Sequence, residues 1–277
     1  MPQSSGLPLV DRIERLTVPH GQLALWALGQ AGFILKGGQT IVCIDPYLSD
    51  SITEIEGPKR RVPLPFAPGA LRAANLVFAT HEHLDHADSQ TLGPLMAASA
   101  GARLITSLQG RDVALGAGVG PERIDTPRLG ERVTRGALSY TAIPAAHYDF
   151  EVDEAGHSRW MGFVIELNGV TVYHAGDTLV FPELLAALAG RTIDLALLPI
   201  NGRDDVRDQQ GITGNLWPGE AITLATTIGA RVMIGMHNDM FAENRVDSGL
   251  LFSELDRSAP LQRCHILQAG ELYLYAG

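Results

Sequence analysis

Cysteine is nearly missing from this chain. Cys43 and Cys264 are the only two, each inside an apolar, strand-like run. That excludes a disulfide framework, and both read as small buried hydrophobes. Basic residues are also in short supply. Lys and Arg number 21 against 31 Asp and Glu, which leaves a net charge of −10. Nucleic acid and anionic membrane surfaces need a basic face, so neither is expected as a partner. No apolar run approaches the length of a membrane span. Met1 to Val10 lacks a basic stretch followed by a long apolar one, so no secretory leader is read and a cytoplasmic address is expected. A Gly-x-Ser-x-Gly elbow is absent, so nothing marks a serine nucleophile. Low-complexity segments and clear internal repeats are absent as well.

What remains suits one globular domain spanning 1–277, large enough to bury a sizeable core. Gln22 to Leu28, Phe33 to Lys36 and Thr40 to Ile44 read as three strands of an antiparallel meander, with Gly at the turns. Asn75 to Ala79 is a short buried strand. Ser89 to Ala100 and Leu108 to Leu115 read as helices on either side of a strand at Arg103 to Thr106. Glu131 to Thr134 and Ala137 to Ile143 form a hairpin around Gly136. A second one, Trp160 to Leu167 with Val170 to His174, turns at Asn168-Gly169. Helices at Pro182 to Ala189, Pro218 to Ile228 and Ser248 to Asp256 alternate with strands at Asp194 to Ile200 and Arg231 to Met236. Gln262 to Gln268 and Glu271 to Tyr275 read as a closing hairpin. Strands followed by helices, twice over, predict an α/β protein of two packed sheets with helices outside, a four-layer αββα sandwich.

The chemistry concentrates in Thr80-His81-Glu82-His83-Leu84-Asp85-His86. Three histidines and an aspartate fall directly after a buried strand, where a rigid scaffold can hold them. Imidazole and carboxylate are the ligands of Zn²⁺, Mn²⁺ and Fe. His147, Asp177 and His237 each follow another strand, so four strand ends carry candidate ligands. Asp45, also at a strand end, reads equally as a hydrogen-bond acceptor behind a ligand His or as a turn carboxylate before Pro46. His174 alternates with Val172 on an apolar strand and reads as a buried, hydrogen-bonded His. His20, His157 and His265 have no motif partners, and His157 beside Arg159 leaves a weak anion contact open. Residues 49–69, with several prolines and Lys59-Arg60-Arg61, read as a loop, possible as a lid, with its basic triplet solvated.

His81-x-His83-x-Asp85-His86 resembles the signature of the metallo-β-lactamase superfamily. The resemblance implies one metal on His81, His83 and His147, a second on Asp85, His86 and His237, and Asp177 of the Gly176-Asp177 turn bridging both. The ions would be Zn²⁺ or Mn²⁺, with Fe also compatible. Trp26 to Phe33, Ile44-Asp45-Pro46-Tyr47, Tyr173 to Thr178, Leu198 to Arg203 and Met236 to Phe241 are similar to the L-ascorbate-6-phosphate lactonase-like branch. The expected activity is hydrolysis of a lactone or ester of a small, anionic, sugar-like substrate by a metal-bridging hydroxide. A phosphodiesterase of the same superfamily is the alternative. An oxygen-reducing diiron protein would carry Glu where His83 stands, and a non-catalytic relative would have lost ligands.

Asp85 and His86 are the expected catalytic pair, with Asp85 passing a proton to the leaving group. Tyr148 is a candidate to stabilise an oxyanion or to pack. Arg203 and Arg207, with Asn201, are candidate anion contacts, and Asn215 and Trp217 share their loop. The competing reading pairs those arginines with Asp204 and Asp205 at the surface. A homo-oligomer is compatible with the resemblance.

Overall fold

The structure, a computed structural model, describes residues 7–277. Helix α1 (Leu9–Arg15) precedes the meander β1 (Gln22–Gly29), β2 (Gly32–Gly37) and β3 (Thr40–Ile44). The short helix α2 (Ser51–Glu54) lies in the long connection to β4 (Leu76–Ala79). Then follow α3 (Ser89–Ala98), β5 (Arg103–Thr106), α4 (Leu108–Gly116) and β6 (Ile124–Asp125). The second half opens with four strands: β7 (Arg132–Arg135), β8 (Leu138–Pro144), β9 (Met161–Leu167) and β10 (Val170–His174). It continues with α5 (Pro182–Leu188), β11 (Leu195–Pro199), α6 (Asp205–Gln209), α7 (Pro218–Thr227) and β12 (Val232–Met236). It ends with α8 (Ser248–Ser258), β13 (Arg263–Ile266) and β14 (Leu272–Ala276).

The strands form two seven-stranded sheets, ordered β14-β1-β2-β3-β4-β5-β6 and β13-β12-β11-β10-β9-β8-β7. Each has an antiparallel part and a parallel part. In the first, β1 to β3 are antiparallel and β3 to β6 parallel. In the second, β7 to β10 are antiparallel and β10 to β13 parallel. Parallel neighbours need crossovers, and the helices supply them.

Strand periodicity explains the layering. Along β1, Leu23, Leu25 and Ala27 join the core between the sheets, while Ala24, Trp26 and Leu28 join a second core beneath α1, α3 and α4. Alternate side chains point to opposite faces, so one strand serves both cores. Phe78 of the first sheet meets Tyr140 and Phe163 of the second at ring-centroid distances of 5.2 Å and 4.8 Å. On the far face of the second sheet, α5, α7 and α8 contribute Leu184, Leu224 and Leu251. The layers are therefore α, β, β, α.

The Asn168-Gly169 turn has positive φ at both residues, 57° and 84°, as a two-residue hairpin of this twist requires. The closing strands depart from the sequence expectation. β13 and β14 are not a hairpin: β13 pairs in parallel with β12, and β14 crosses to the other sheet and pairs antiparallel with β1. The turn at Gln268 to Glu271 is real, with Glu271 N donating to Gln268 O at 2.9 Å. It joins two sheets rather than two neighbours, and β14 covers the otherwise open edge of β1. Helices α1, α2 (inside the 49–69 stretch expected to be a loop) and α6 are not expected from the sequence. All three are short, and α6 is set by Asp204, whose carboxylate caps Val206 N and Arg207 N. Of the stretch read for a leader, residues 1–6 lie outside the described residues. Among the described residues, no helix is long and apolar enough to cross a membrane.

Candidate metal centre

Four loops meet where β4, β8, β10 and β12 end. β4 is buried along its whole length and delivers Thr80 and His81, both fully buried, to its carboxyl end. The chain then folds back, with His86 N and Ala87 N donating to His83 O at 2.9 Å and 2.8 Å. Asp88 ends the loop by capping α3 through Gln90 N. His147 follows β8, Asp177 follows β10 and His237 follows β12. The Gly176-Asp177 turn needs its glycine: φ is 63°, and a Cβ there would lie 2.9 Å from Met161 O and 3.1 Å from Thr80 Cβ.

All seven candidate ligands converge. Donor atoms of His81, His83 and His147 lie within 4.8 Å of one another, and so do those of Asp85, His86 and His237. A third group, His81, His86 and Asp177, joins these two sets. Asp177 stands between them, with Oδ1 3.3 Å from His86 Nε2 and Oδ2 3.2 Å from His237 Nε2 and 4.0 Å from His147 Nε2.

These residues fit a divalent cation. His81 Nε2, His86 Nε2, His147 Nδ1 and Asp177 Oδ1 are buried without a hydrogen-bond partner. Four unpartnered polar atoms buried in one cluster of side chains would be costly in a fold without a cation. The donor set, five imidazoles and two carboxylates, suits Zn²⁺ and its neighbours. Proton equilibria show the same demand for positive charge. Burial opposes a charge on His86, yet Asp177, Asp85 and Asp45 outweigh it and hold its pKa well above the usual value. His237 behaves alike, raised to about 10 by Asp177 and Asp85 against burial. His81, buried and facing His86 and His83, is pushed well below, and burial takes His147 down to about 4.

Asp45 stands behind the ligands. Its Oδ2 accepts from His86 Nδ1 at 2.7 Å, and its oxygens also accept from Thr80 N and Thr80 Oγ1 at 2.7 Å and 2.8 Å. This fixes the His86 tautomer and leaves Nε2 as the free nitrogen. His174 is buried as read, its Nε2 2.8 Å from Ala31 O and its Nδ1 accepting from Gly176 N at 3.1 Å.

Gln30, within the Trp26 to Phe33 stretch, is not among the residues the sequence singles out for the site. It is buried at φ 55° and donates Nε2 to Asp85 Oδ2 at 2.8 Å. Its carbonyl accepts from His237 N at 2.8 Å, so one residue positions ligands from two loops. A non-glycine residue at positive φ beside Gly29 is the signal, and it appears only in the backbone.

Several expected substrate contacts are placed elsewhere. Arg203 forms a two-pronged pair with Glu220, at 2.6 Å and 2.7 Å. Arg207 is buried, with Nε on Asp204 at 2.6 Å and Nη1 on Asn201 O at 2.8 Å. Asn201 is fully buried, and its side chain is bound to Asn244 and Asn215. None of the three lines the cleft above the candidate ligands. Tyr148 donates its hydroxyl to Asp208 Oδ1 at 2.5 Å and accepts from Gly214 N, so that group is already committed. Trp217 starts α7 rather than lining the site. His157 pairs with Asp153, and Arg159 with Glu82 and Glu151. Of the basic triplet, Lys59 and Arg61 are exposed, but Arg60 is largely enclosed, donating to Tyr47 O and Ser49 O and lying 4.6 Å over the Tyr47 ring. Cys43 and Cys264 are free thiols.

Residues 40–238 match the profile of the β-lactamase superfamily domain. The chain belongs to the metallo-β-lactamase superfamily. Within it, the chain is 30% identical over 255 residues to a UPF0173 metal-dependent hydrolase of Methanoculleus marisnigri, covering 88% of this chain and 93% of that protein. A namesake from Methanospirillum hungatei is 33% identical over 235 residues, covering 82% and 96%. The solved structure of Igni18, a metallo hydrolase from Ignicoccus hospitalis, superimposes with a TM-score of 0.69 at 20% identity, over 92% of this chain and 98% of that one. It shares the fold. This protein is a metal-dependent hydrolase of the superfamily.

Proposed function

We propose that this metallo-β-lactamase-superfamily protein is a binuclear lactone or ester hydrolase. The supporting observation is the pair of separate three-residue donor sets with Asp177 between them. His81, His83 and His147 would hold one ion and Asp85, His86 and His237 the other, with Asp177 shared. Bound there, divalent ions supply hydroxide at neutral pH and a Lewis acid for the acyl oxygen.

The chain's own residues do the rest. Asp45 and Thr80 lock His86 and His81 so that the donor geometry needs little reorganisation. Gln30 holds the Asp85 carboxylate by one oxygen. Asp85 lies at the floor of the cleft and passes the proton released by the attacking water to the departing alkoxide. The acyl C–O bond breaks, the water oxygen bonds to the acyl carbon, and its proton ends on the alcohol. No serine or cysteine nucleophile enters.

The deciding experiment measures metal content and turnover together. Purified protein loaded with Zn²⁺ or Mn²⁺ is assayed on lactones, aryl esters and phosphodiesters. Two ions per chain and ester or lactone hydrolysis, both lost in His86→Ala, are the expected result. Hydrolysis confined to phosphodiesters would replace this reading with the phosphodiesterase one.

A further inference from the structure

The cleft above the candidate ligands has a volume of about 460 Å³, room for a small organic molecule. Ile52, Ile55, Pro58, Leu84, Ile212 and Phe241 give it a largely apolar lining. Among the described residues, no Lys or Arg lines it. Four arginines near it are engaged: Arg203 by Glu220, Arg207 by Asp204, Arg159 by Glu82 and Arg60 by Asp50. Arg207 stands behind Asn244, whose side-chain oxygen accepts from it at 3.3 Å. Exposed charges along the segment from Ile52 to Arg61 are mixed, Glu54 and Glu56 followed by Lys59 and Arg61, and none of the four lines the cleft.

That segment is a fixed wall. Gly57 N donates to Ile52 O and Arg61 N to Met240 O, both at 2.9 Å. Ile52 and Val62 pack on Tyr47, Met240 and Phe241. Ile55, 67% exposed, is the most open of the apolar side chains lining the cleft.

We infer that the cleft selects a neutral lactone or ester carrying an apolar chain, laid against Ile52, Ile55, Pro58, Leu84, Ile212 and Phe241. The inference rests on the hydrolase reading for the reacting group, but not for the pocket. A phosphorylated substrate would bring charge to a lining without Lys or Arg, whose polar side chains beyond the candidate ligands are Gln210, Thr213 and Asn244.

Two measurements separate the claims. The first is calorimetric binding of unreactive δ-lactams with propyl, hexyl or nonyl chains. Affinity rises about fourfold per methylene until the cleft is filled. Ile55→Asp, at an exposed position, lowers the nonyl lactam's affinity about tenfold and leaves the melting temperature unchanged. A series with no chain dependence, or a phosphorylated lactam that binds tighter than the nonyl one, overturns the inference. The second is turnover of the matching lactones by the metal-loaded protein, with kcat/KM climbing along the same series. Chain-dependent lactam binding with no turnover of any substrate would sink the hydrolase reading alone. Turnover that ignores chain length would sink the pocket inference alone.

Discussion

Two places in this protein bury polar groups, and they treat them in opposite ways. Lys36 on β2 is fully buried, and its ammonium donates to Ile13 O and Glu14 O at 2.6 Å and 2.7 Å. It satisfies carbonyls at the end of α1 that the helix leaves open. Burial lowers its pKa and Glu14 partly restores it. At the candidate metal centre, His81, His86, His147 and Asp177 are also buried, yet each keeps an atom without a partner. A buried polar group that serves the fold finds its partner in the chain. One that serves chemistry is held ready for a partner the chain does not supply.

The contrast can be broken by substitution. Asp177→Ala removes the carboxylate between the two donor sets, and kcat/KM should fall about a thousandfold or more, with loss of bound metal. Metal analysis alongside kinetics checks it, and full activity would mean Asp177 is no ligand. Lys36→Met keeps the bulk but strands two carbonyls, which should cost about 3 kcal/mol of stability. Metal content should not change, and denaturant unfolding reads the difference. Asp45→Asn leaves His86 in place without its charged acceptor. Metal affinity should weaken about 10- to 100-fold with the melting curve of the metal-free protein little altered. Competition with a chelator measures this. The smallest effect belongs to Arg203→Ala. Its partner Glu220 is part exposed, so about 0.5 kcal/mol of stability is expected and no change in KM. A large rise in KM would return Arg203 to the substrate site.

The site was legible because its residues sit at strand ends. Ala79, His174 and Met236 close three buried strands, and His81, Asp177 and His237 come within three residues of them. β10 and β12 run in one direction in the same sheet, so their carboxyl ends share an edge, and β4 reaches that edge from the other sheet. The hairpins at Gly136 and Asn168-Gly169 were legible for a local reason, the φ > 0 that those residues tolerate. The β13–β14 hairpin failed for the complementary reason. A turn reports a reversal of the chain and is silent on which edge receives the next strand. The sequence left the arginines open between a substrate contact and an ion pair. Arg203 lies 17 residues from Glu220, and nothing local distinguishes a guanidinium that will find a carboxylate from one that will find a substrate.

The sequence by itself determined the chemistry. Imidazole and carboxylate in that spacing after a buried strand call for a cation, and ligand preference is a property of the side chains alone. It also determined the alternating strands that give one sheet two buried faces. Only the tertiary structure decided which charges were spent. Gln30 reached Asp85 across 55 residues, Asn201 and Arg207 turned to each other and to Asn244, and six apolar side chains met above the centre. Those outcomes depend on distances between segments far apart in the chain, which packing fixes and local pattern does not encode.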